Sequence, residues 1–392
     1  MITGIDDLKI SDLRGRQGEK WSHYPADVIP AWVADMDFEI AEPIRQAIIE
    51  RVSTFDCGYP VAAADTGLRE IFTERVERKF AWHVEPNQVE LFNDVVQAIY
   101  FGLLALSNED DGVLIQTPIY PPFFGAVEQT KRRVAASPLV QGNSQFEIDF
   151  EHLEAQLVNK NARILMLCNP HNPTGRCFTR QELERLAELV LAHELYVISD
   201  EIHADLVLDG RLHIPISSLD EQIAARTVTL MSASKAFNMA GVCMAFAVFG
   251  GQAIRNAFRK VPSHLRGGMS ALSVAGVTAA LTKAEPWLEQ VLLTLTENRN
   301  RLLSHVSNEW EDITYHSTEA TYLAWLDCRR LVRERRMTST PYQYFLDKGR
   351  VALSEGRRFG EPGEGFVRLN FATSPSILGE ILSRMDSALA DH

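Results

Sequence analysis

In the stretch TVTLMSASKAFNMAG, residues 227–241, a lysine closely follows an apolar, β-rich run. A lysine that reacts with a carbonyl must be partly neutral, and desolvation at the end of a buried strand lowers an amine's pKa in that direction. Lys235 meets that requirement, although a lysine snorkelling out of a surface loop fits the local sequence as well. Ser232 and Ser234 offer hydroxyl donors suited to a phosphate, and Gly241 allows close backbone packing. Asp200 closes a second apolar run, LYVISD, where an unpaired charge is expensive. It is either a cap or salt-bridge partner, or a carboxylate that faces a pyridinium nitrogen and keeps an electron-sink ring protonated. Asn172, in the proline-flanked loop NPHNPTG, is either turn chemistry or a donor to a phenolate oxygen on such a ring.

These residues need a scaffold that brings strand ends together. Between about residues 111 and 250, the apolar runs GVLIQTP, RILMLCNP, LYVISDE and TVTLMSAS alternate with amphipathic segments. In TRQELERLAELVLAHE, Leu183, Leu186, Leu189 and Val190 recur at helical spacing behind Thr179, a capping candidate. The pattern predicts an α/β fold, a mainly parallel sheet flanked by helices on both faces. Ligands of such sheets gather beyond the carboxyl ends of the strands, where Asn172, Asp200 and Lys235 fall. Beyond about residue 282 a long helical pattern precedes the strand-like pieces TYLAWLD and GFVRLNFA, which predicts a smaller α+β lobe. The expected division is a large domain over 45–280 and a small one built from 1–44 and 281–392.

Composition excludes several classes. The 392 residues carry a formal net charge of −13 with no long basic run, which argues against nucleic acid as a partner. The five cysteines, an odd number with no CxxC pair, predict neither a disulfide framework nor a metal site. The polar N-terminal stretch has no apolar signal core, and no apolar window is long enough to span a bilayer, so a cytoplasmic protein is expected.

Taken in order, NPHNPTG, SDEIH and SASKAFNMAG resemble the pyridoxal-phosphate (PLP) enzymes of fold type I, the aspartate aminotransferase fold. KWSHYPADVIPAWVADMDF, SDEIHADLVLDGRLHIP, TYLAWLDCR and GEGFVRLNFATS further resemble the cystathionine β-lyase-type C–S lyases, the MalY/PatB branch. The resemblance covers nearly the whole chain. It implies a seven-stranded sheet in the large domain and pyridoxal 5'-phosphate as cofactor. By it, Lys235 holds the cofactor as a Schiff base and moves the Cα proton. Asp200 pairs with the ring nitrogen, Asn172 contacts the ring hydroxyl, and Tyr120 stacks on the ring. His203 is either a supporting residue or a satisfied core histidine. The amides of Val95 and Val96, at a helix N-terminus, serve the phosphate together with Ser232 and Ser234. Arg368, the one charge in its apolar run, clamps the substrate α-carboxylate with its planar fork. Tyr59 reaches the phosphate of a neighbouring copy, which implies a homodimer.

The chain departs from the family pattern at several positions. Asp94 stands where relatives usually carry glycine, Pro60 where threonine or serine is commoner, and Pro121 where a second tyrosine often follows. Cys243 occupies the place, eight positions after the lysine, where transaminases often carry a phosphate-binding arginine. The C–S lyase branch also commonly lacks that arginine. The expected reaction is therefore α,β-elimination from a cysteine-type thioether to a thiol, pyruvate and ammonia. An aminotransferase and a PLP-binding regulatory protein are the alternatives.

Overall fold

The computed structural model describes residues 8–55, 57–159, 161–335 and 337–390. Short apolar runs form the strands β1 (Val89–Phe92), β2 (Gly112–Thr117), β3 (Arg133–Gln141), β4 (Phe146–Ile148), β5 (Ala162–Cys168), β6 (Tyr196–Asp200), β7 (Thr227–Met231) and β8 (Ala245–Phe249). They build one sheet in the order β1-β8-β7-β6-β5-β2-β3-β4. The pairs from β7 through β6, β5 and β2 to β3 are parallel, while the edge pairs are antiparallel. Every residue of β2, β7 and β8 is buried, which is why these runs read as continuously apolar rather than alternating.

The sheet has eight strands rather than the seven expected from the resemblance. The additional strand is β4, which turns back on β3 through a tight loop closed by Gly142 N–H to Gln145 O at 2.8 Å. At three residues, FEI, it is too short to carry a periodic signal.

Helices pack on both faces. Helix α1 (Val95–Leu106) follows β1, and α2 (Arg180–Ala192) lies between β5 and β6. The predicted cap of α2 is a full capping box. Thr179 Oγ1 accepts from Glu182 N at 3.2 Å, and Glu182 Oε2 accepts from Thr179 N at 2.8 Å. The long pattern beyond residue 282 is the helix α3 (Glu285–Glu309), whose buried stripe includes Leu288, Val291, Leu295, Leu302 and Val306. A second, antiparallel sheet follows, formed by β9 (Thr314–Tyr315), β10 (Leu323–Asp327), β11 (Ser354–Glu355) and β12 (Phe366–Asn370) in the order β9-β10-β12-β11.

The N-terminal chain runs back over this second sheet. Ile29–Pro30 pairs in parallel with Val351–Ala352, and Ser374 Oγ donates to Leu8 O at 2.7 Å. Residues 1–7 of the polar N-terminal stretch lie outside the described residues. All five cysteines are free. Among the described residues, no helix is long and apolar enough to cross a membrane.

Candidate active site

The carboxyl ends of β5, β6 and β7 meet the N-terminus of α1 around a cavity of about 180 Å³. It is lined by nine of the eleven candidate site residues, Lys235, Asp200, Asn172, Tyr120, His203, Ser232, Ser234, Val95 and Val96, and by Asp94. Ala34, Cys168, Cys243 and Met244 complete much of the wall. Arg368 and Tyr59 lie outside the lining.

Lys235 is half-buried on a short turn of helix after β7, and its Nζ donates to the backbone oxygen of Ala34 at 2.9 Å. Burial lowers its pKa, the nearby Asp35 and Asp200 carboxylates oppose that shift, and Arg368 reinforces it. Ala34 belongs to AWVADMDF (residues 31–38), whose stretch 32–38 is an irregular strap, bent at 33–34 and 37–38, that joins neither large sheet. Side chains take the place of strand pairing along it. The carbonyls of Trp32, Val33, Ala34, Asp35, Met36, Asp37 and Phe38 each accept from at least one side chain. Asn238, three residues past Lys235, holds Met36 N, Met36 O and Phe38 O. The turn that carries the lysine therefore also fixes the strap that the lysine touches.

Asp200 ends β6 buried at the cavity wall, with Oδ1 accepting from Ile202 N at 3.1 Å. Burial pushes its pKa up to about 7; the Ile202 N–H and the Lys235 charge pull against that, and the Glu201 carboxylate adds to it. A cation brought to Asp200 restores the ionised form. His203 is buried, with Nδ1 unpaired among the described residues, and desolvation followed by the Lys235 and Arg368 charges lowers it to about 3. It is neutral near pH 7. Behind this turn Glu201 pairs with His213 at 2.6 Å, both side chains fully buried. Ser199 Oγ and Ile216 N also donate to Glu201 Oε1.

The N-terminus of α1 shows what Asp94 does. Its carboxylate caps the helix, with Oδ1 accepting from Gln97 N at 2.7 Å. Ala98 N bonds Asp94 O, and the Val95 and Val96 N–H groups have no partner among the described residues. Ser232 Oγ accepts from Ser234 N and lies 2.6 Å from Met244 O, to which it donates. Its hydrogen is thereby engaged, and the Ser234 hydroxyl, 3.0 Å from Ser232 Oγ, is the one able to turn toward an added anion.

Asn172 and Arg368 form a unit. Arg368 Nη1 donates to Asn172 Oδ1 at 2.9 Å, and Nη2 donates to Trp32 O at 2.9 Å and to Ser354 Oγ at 3.1 Å. Its Nε has no partner, no carboxylate pairs with it among the described residues, and the guanidinium lies 4.9 Å from the centre of the Phe359 ring. Burial lowers its pKa to about 10, so it stays charged near neutrality. The Asn172 loop is pinned from the second sheet's side. Arg176 pairs with Glu182 and Glu319, and the Glu319 and Ala320 amides bond Gly175 O. Gly175 has φ +72°, and a Cβ there would lie 2.5 Å from Thr318. Tyr120 is half-buried on the wall, and burial raises its phenol pKa. Tyr59 is fully exposed and lines a neighbouring cavity of about 400 Å³ that shares Asn93, Cys243 and Met244 with the first.

Sequence reading missed Ala34, Asn238 and Tyr322. Tyr322 Oη donates to Ala34 O at 2.8 Å. A backbone carbonyl has no side-chain signature, so only the polar residues that hold the strap offered a signal.

These groups suit pyridoxal phosphate. Among the described residues, two helix amides without a partner and a reorientable serine hydroxyl suit a phosphate, a buried carboxylate lacks a cation, and an amine stands in the same cavity. A lysine of lowered pKa beyond a mainly parallel sheet, with that carboxylate one strand away, is the arrangement of the class of PLP enzymes of fold type I.

Comparison with known proteins narrows the class. The aminotransferase class I and II family matches residues 38–385, and the chain belongs to it, grouping with the MalY/PatB branch. Cystathionine β-lyase PatB of Bacillus subtilis is 34% identical over 96% of this chain and 97% of its own length. Protein MalY of Escherichia coli is 31% identical over 93% of this chain and 94% of its own. The PLP-bound C–S lyase of Staphylococcus hominis superposes with a TM-score of 0.92, at 28% identity and 99% coverage of both chains. The cofactor is pyridoxal phosphate, and the chain is a PLP-dependent enzyme related to C–S lyases.

Proposed function

We propose that this enzyme is a C–S β-lyase, which cleaves the Cβ–S bond of a cysteine-type thioether and yields a thiol, pyruvate and ammonia with uptake of one water. The observation that carries the reading is the meeting of Lys235, Asp200 and the Arg368–Asn172 unit around one site. Full-length likeness to PatB, and Cys243 in place of a transaminase arginine, favour elimination over amino transfer.

Pyridoxal phosphate supplies the electron sink for charge left on Cα when its proton is removed. The chain's own residues do the rest. Lys235 binds the cofactor, takes the Cα proton as a free amine, and returns it to the departing sulfur. Its lowered pKa suits both transfers. Asp200 holds the ring nitrogen protonated, and Asn172 donates from its amide nitrogen to the ring hydroxyl while its oxygen keeps Arg368 in place. Arg368 receives the α-carboxylate on its fork, Tyr120 covers a ring face, and neutral His203 fills the wall behind. The Val95 and Val96 amides and the Ser234 hydroxyl hold the phosphate.

In this reading the protein works as a homodimer, with Tyr59 reaching the phosphate in the second copy. Support comes from exposed apolar side chains near the site: Tyr59 at 104%, Val61 at 60% and Leu265 at 55% relative exposure. The domain division at about residues 45 and 280 belongs to the same reading. Replacing Lys235 by Ala tests the enzymatic role. Essentially all turnover is expected to vanish; retention of the protein's activity by that variant identifies a cofactor-binding regulator instead.

A further inference from the structure

One oxygen at the site serves two donors. Ala34 O accepts from Lys235 Nζ at 2.9 Å and from Tyr322 Oη at 2.8 Å. A carbonyl has two lone pairs, so these two bonds fill it. Tyr322 is among the largest fully buried side chains of the protein, and it lies 288 residues from Ala34 in sequence. Its ring sets an edge against His203, with centroids 6.2 Å apart. The hydroxyl is therefore fixed by packing. The oxygen is fixed as well, because the flanking carbonyls of the strap are gripped by Arg368, Ser354, Asn370 and Lys20.

We propose that Tyr322 is a positioning residue for Lys235. Its hydroxyl occupies half of the carbonyl that seats the free amine, orients that amine toward the cavity, and limits how well the ammonium form is held. The inference rests on the reading of Lys235 as the reactive amine. The physical basis is that an O–H directs its positive end at the same oxygen as the ammonium, so it weakens the acceptor for a charged donor and disfavours the proton. The other charged groups facing this seat act alongside it. The Asp35 and Asp200 carboxylates favour the ammonium and Arg368 disfavours it, while Tyr322 itself faces Asp35, Arg368 and Tyr120.

The test compares wild type with Tyr322→Phe, which removes only the hydroxyl. The full chain, stripped of cofactor, is mixed with pyridoxal phosphate from pH 6 to 10, and the rate of covalent capture is followed by absorbance. The midpoint of that profile is expected to rise by about half a unit in the variant. Capture below the midpoint then slows about threefold, and the two proteins converge above it. The acidic limb of kcat for the loaded enzyme should move the same way, with little change in KM. Tyr322→Leu also lacks the hydroxyl and is expected to shift the midpoint equally despite its poorer packing. Arg16→Gln, which removes a strap donor at Asp37 O away from the seat, should leave it in place. An unmoved or lowered midpoint, or an equal shift in Arg16→Gln, overturns the inference. Borohydride reduction and peptide mapping separate it from its premise: a modified lysine other than Lys235 overturns both, whereas Lys235 modified with an unmoved midpoint overturns this inference alone.

Discussion

Arg368 and Asn172, 196 residues apart, share a 2.9 Å hydrogen bond that, in the proposed reading, joins the residue that receives substrate to one that meets the cofactor. The guanidinium is buried with an unpaired Nε and no carboxylate of its own among the described residues, a state that a carboxylate substrate would complete in the proposed reading. Arg368→Ala should lower kcat/KM for an amino-acid substrate by roughly a hundredfold or more, mainly through KM. Arg368→Lys should recover only part of that loss, because a point charge lacks the planar fork. Steady-state kinetics of the three proteins checks this.

Asp94 caps α1 while standing beside the amides assigned to the phosphate. Asp94→Asn keeps a capping oxygen and removes the charge. Cofactor affinity is expected to rise severalfold with little change in Tm. Asp94→Gly loses the side-chain cap but costs only a few tenths of a kcal/mol at such a position. Equilibrium titration with the cofactor and thermal melts separate the two effects. Tighter binding in neither variant means that the carboxylate does not oppose the phosphate.

The Glu201–His213 pair makes stability depend on pH. Desolvation, the largest single effect, lowers His213, but the Glu201 charge together with hydrogen bonding to Cys177 and Glu201 outweighs it and raises His213 from 6.5 to about 9. With the folded value above the unfolded one, the pair's stabilisation is fully present below about pH 6.5 and fades as pH rises through about 9. His213→Leu leaves a buried carboxylate unpaired and should cost about 3–5 kcal/mol at pH 6.5. Denaturant melts at pH 6.5 and 9.5 should show the gap between wild type and variant narrowing at the higher pH.

Asp200 gives a second test of the same sign, at lower pH. Burial lifts its folded value from 3.8 to about 7, so in the cofactor-free protein it favours folding most below pH 3.8, and that contribution is lost as pH rises through about 7. Asp200→Asn should flatten this part of the pH–stability curve of the stripped protein, and it should weaken cofactor binding at least about tenfold. A curve that is unchanged between pH 4 and 8 rules out the buried carboxylate as its source.

How legible the site was follows from where its parts lie. Lys235, Asp200 and Asn172 stood out because each follows an apolar run whose end must face a crevice. The helix α2 was readable from its spacing and cap. The strap over 32–38 was visible as a signature, yet its work is done by carbonyls, and its holders Asn238, Tyr322 and Asn370 are scattered over the chain. The Arg368–Asn172 bond is a product of tertiary folding across two sheets. The strand β4 escaped because three residues on an edge carry no period.

The most direct measurement mixes the cofactor-loaded protein with L-cystathionine and no added keto acid, following pyruvate and the cofactor absorbance in one cuvette. Continuous pyruvate release over many turnovers, with the cofactor band returning to its resting position, is the expected result. Absence of pyruvate, with the cofactor converted once to its amine form, contradicts β-elimination and makes the protein an aminotransferase.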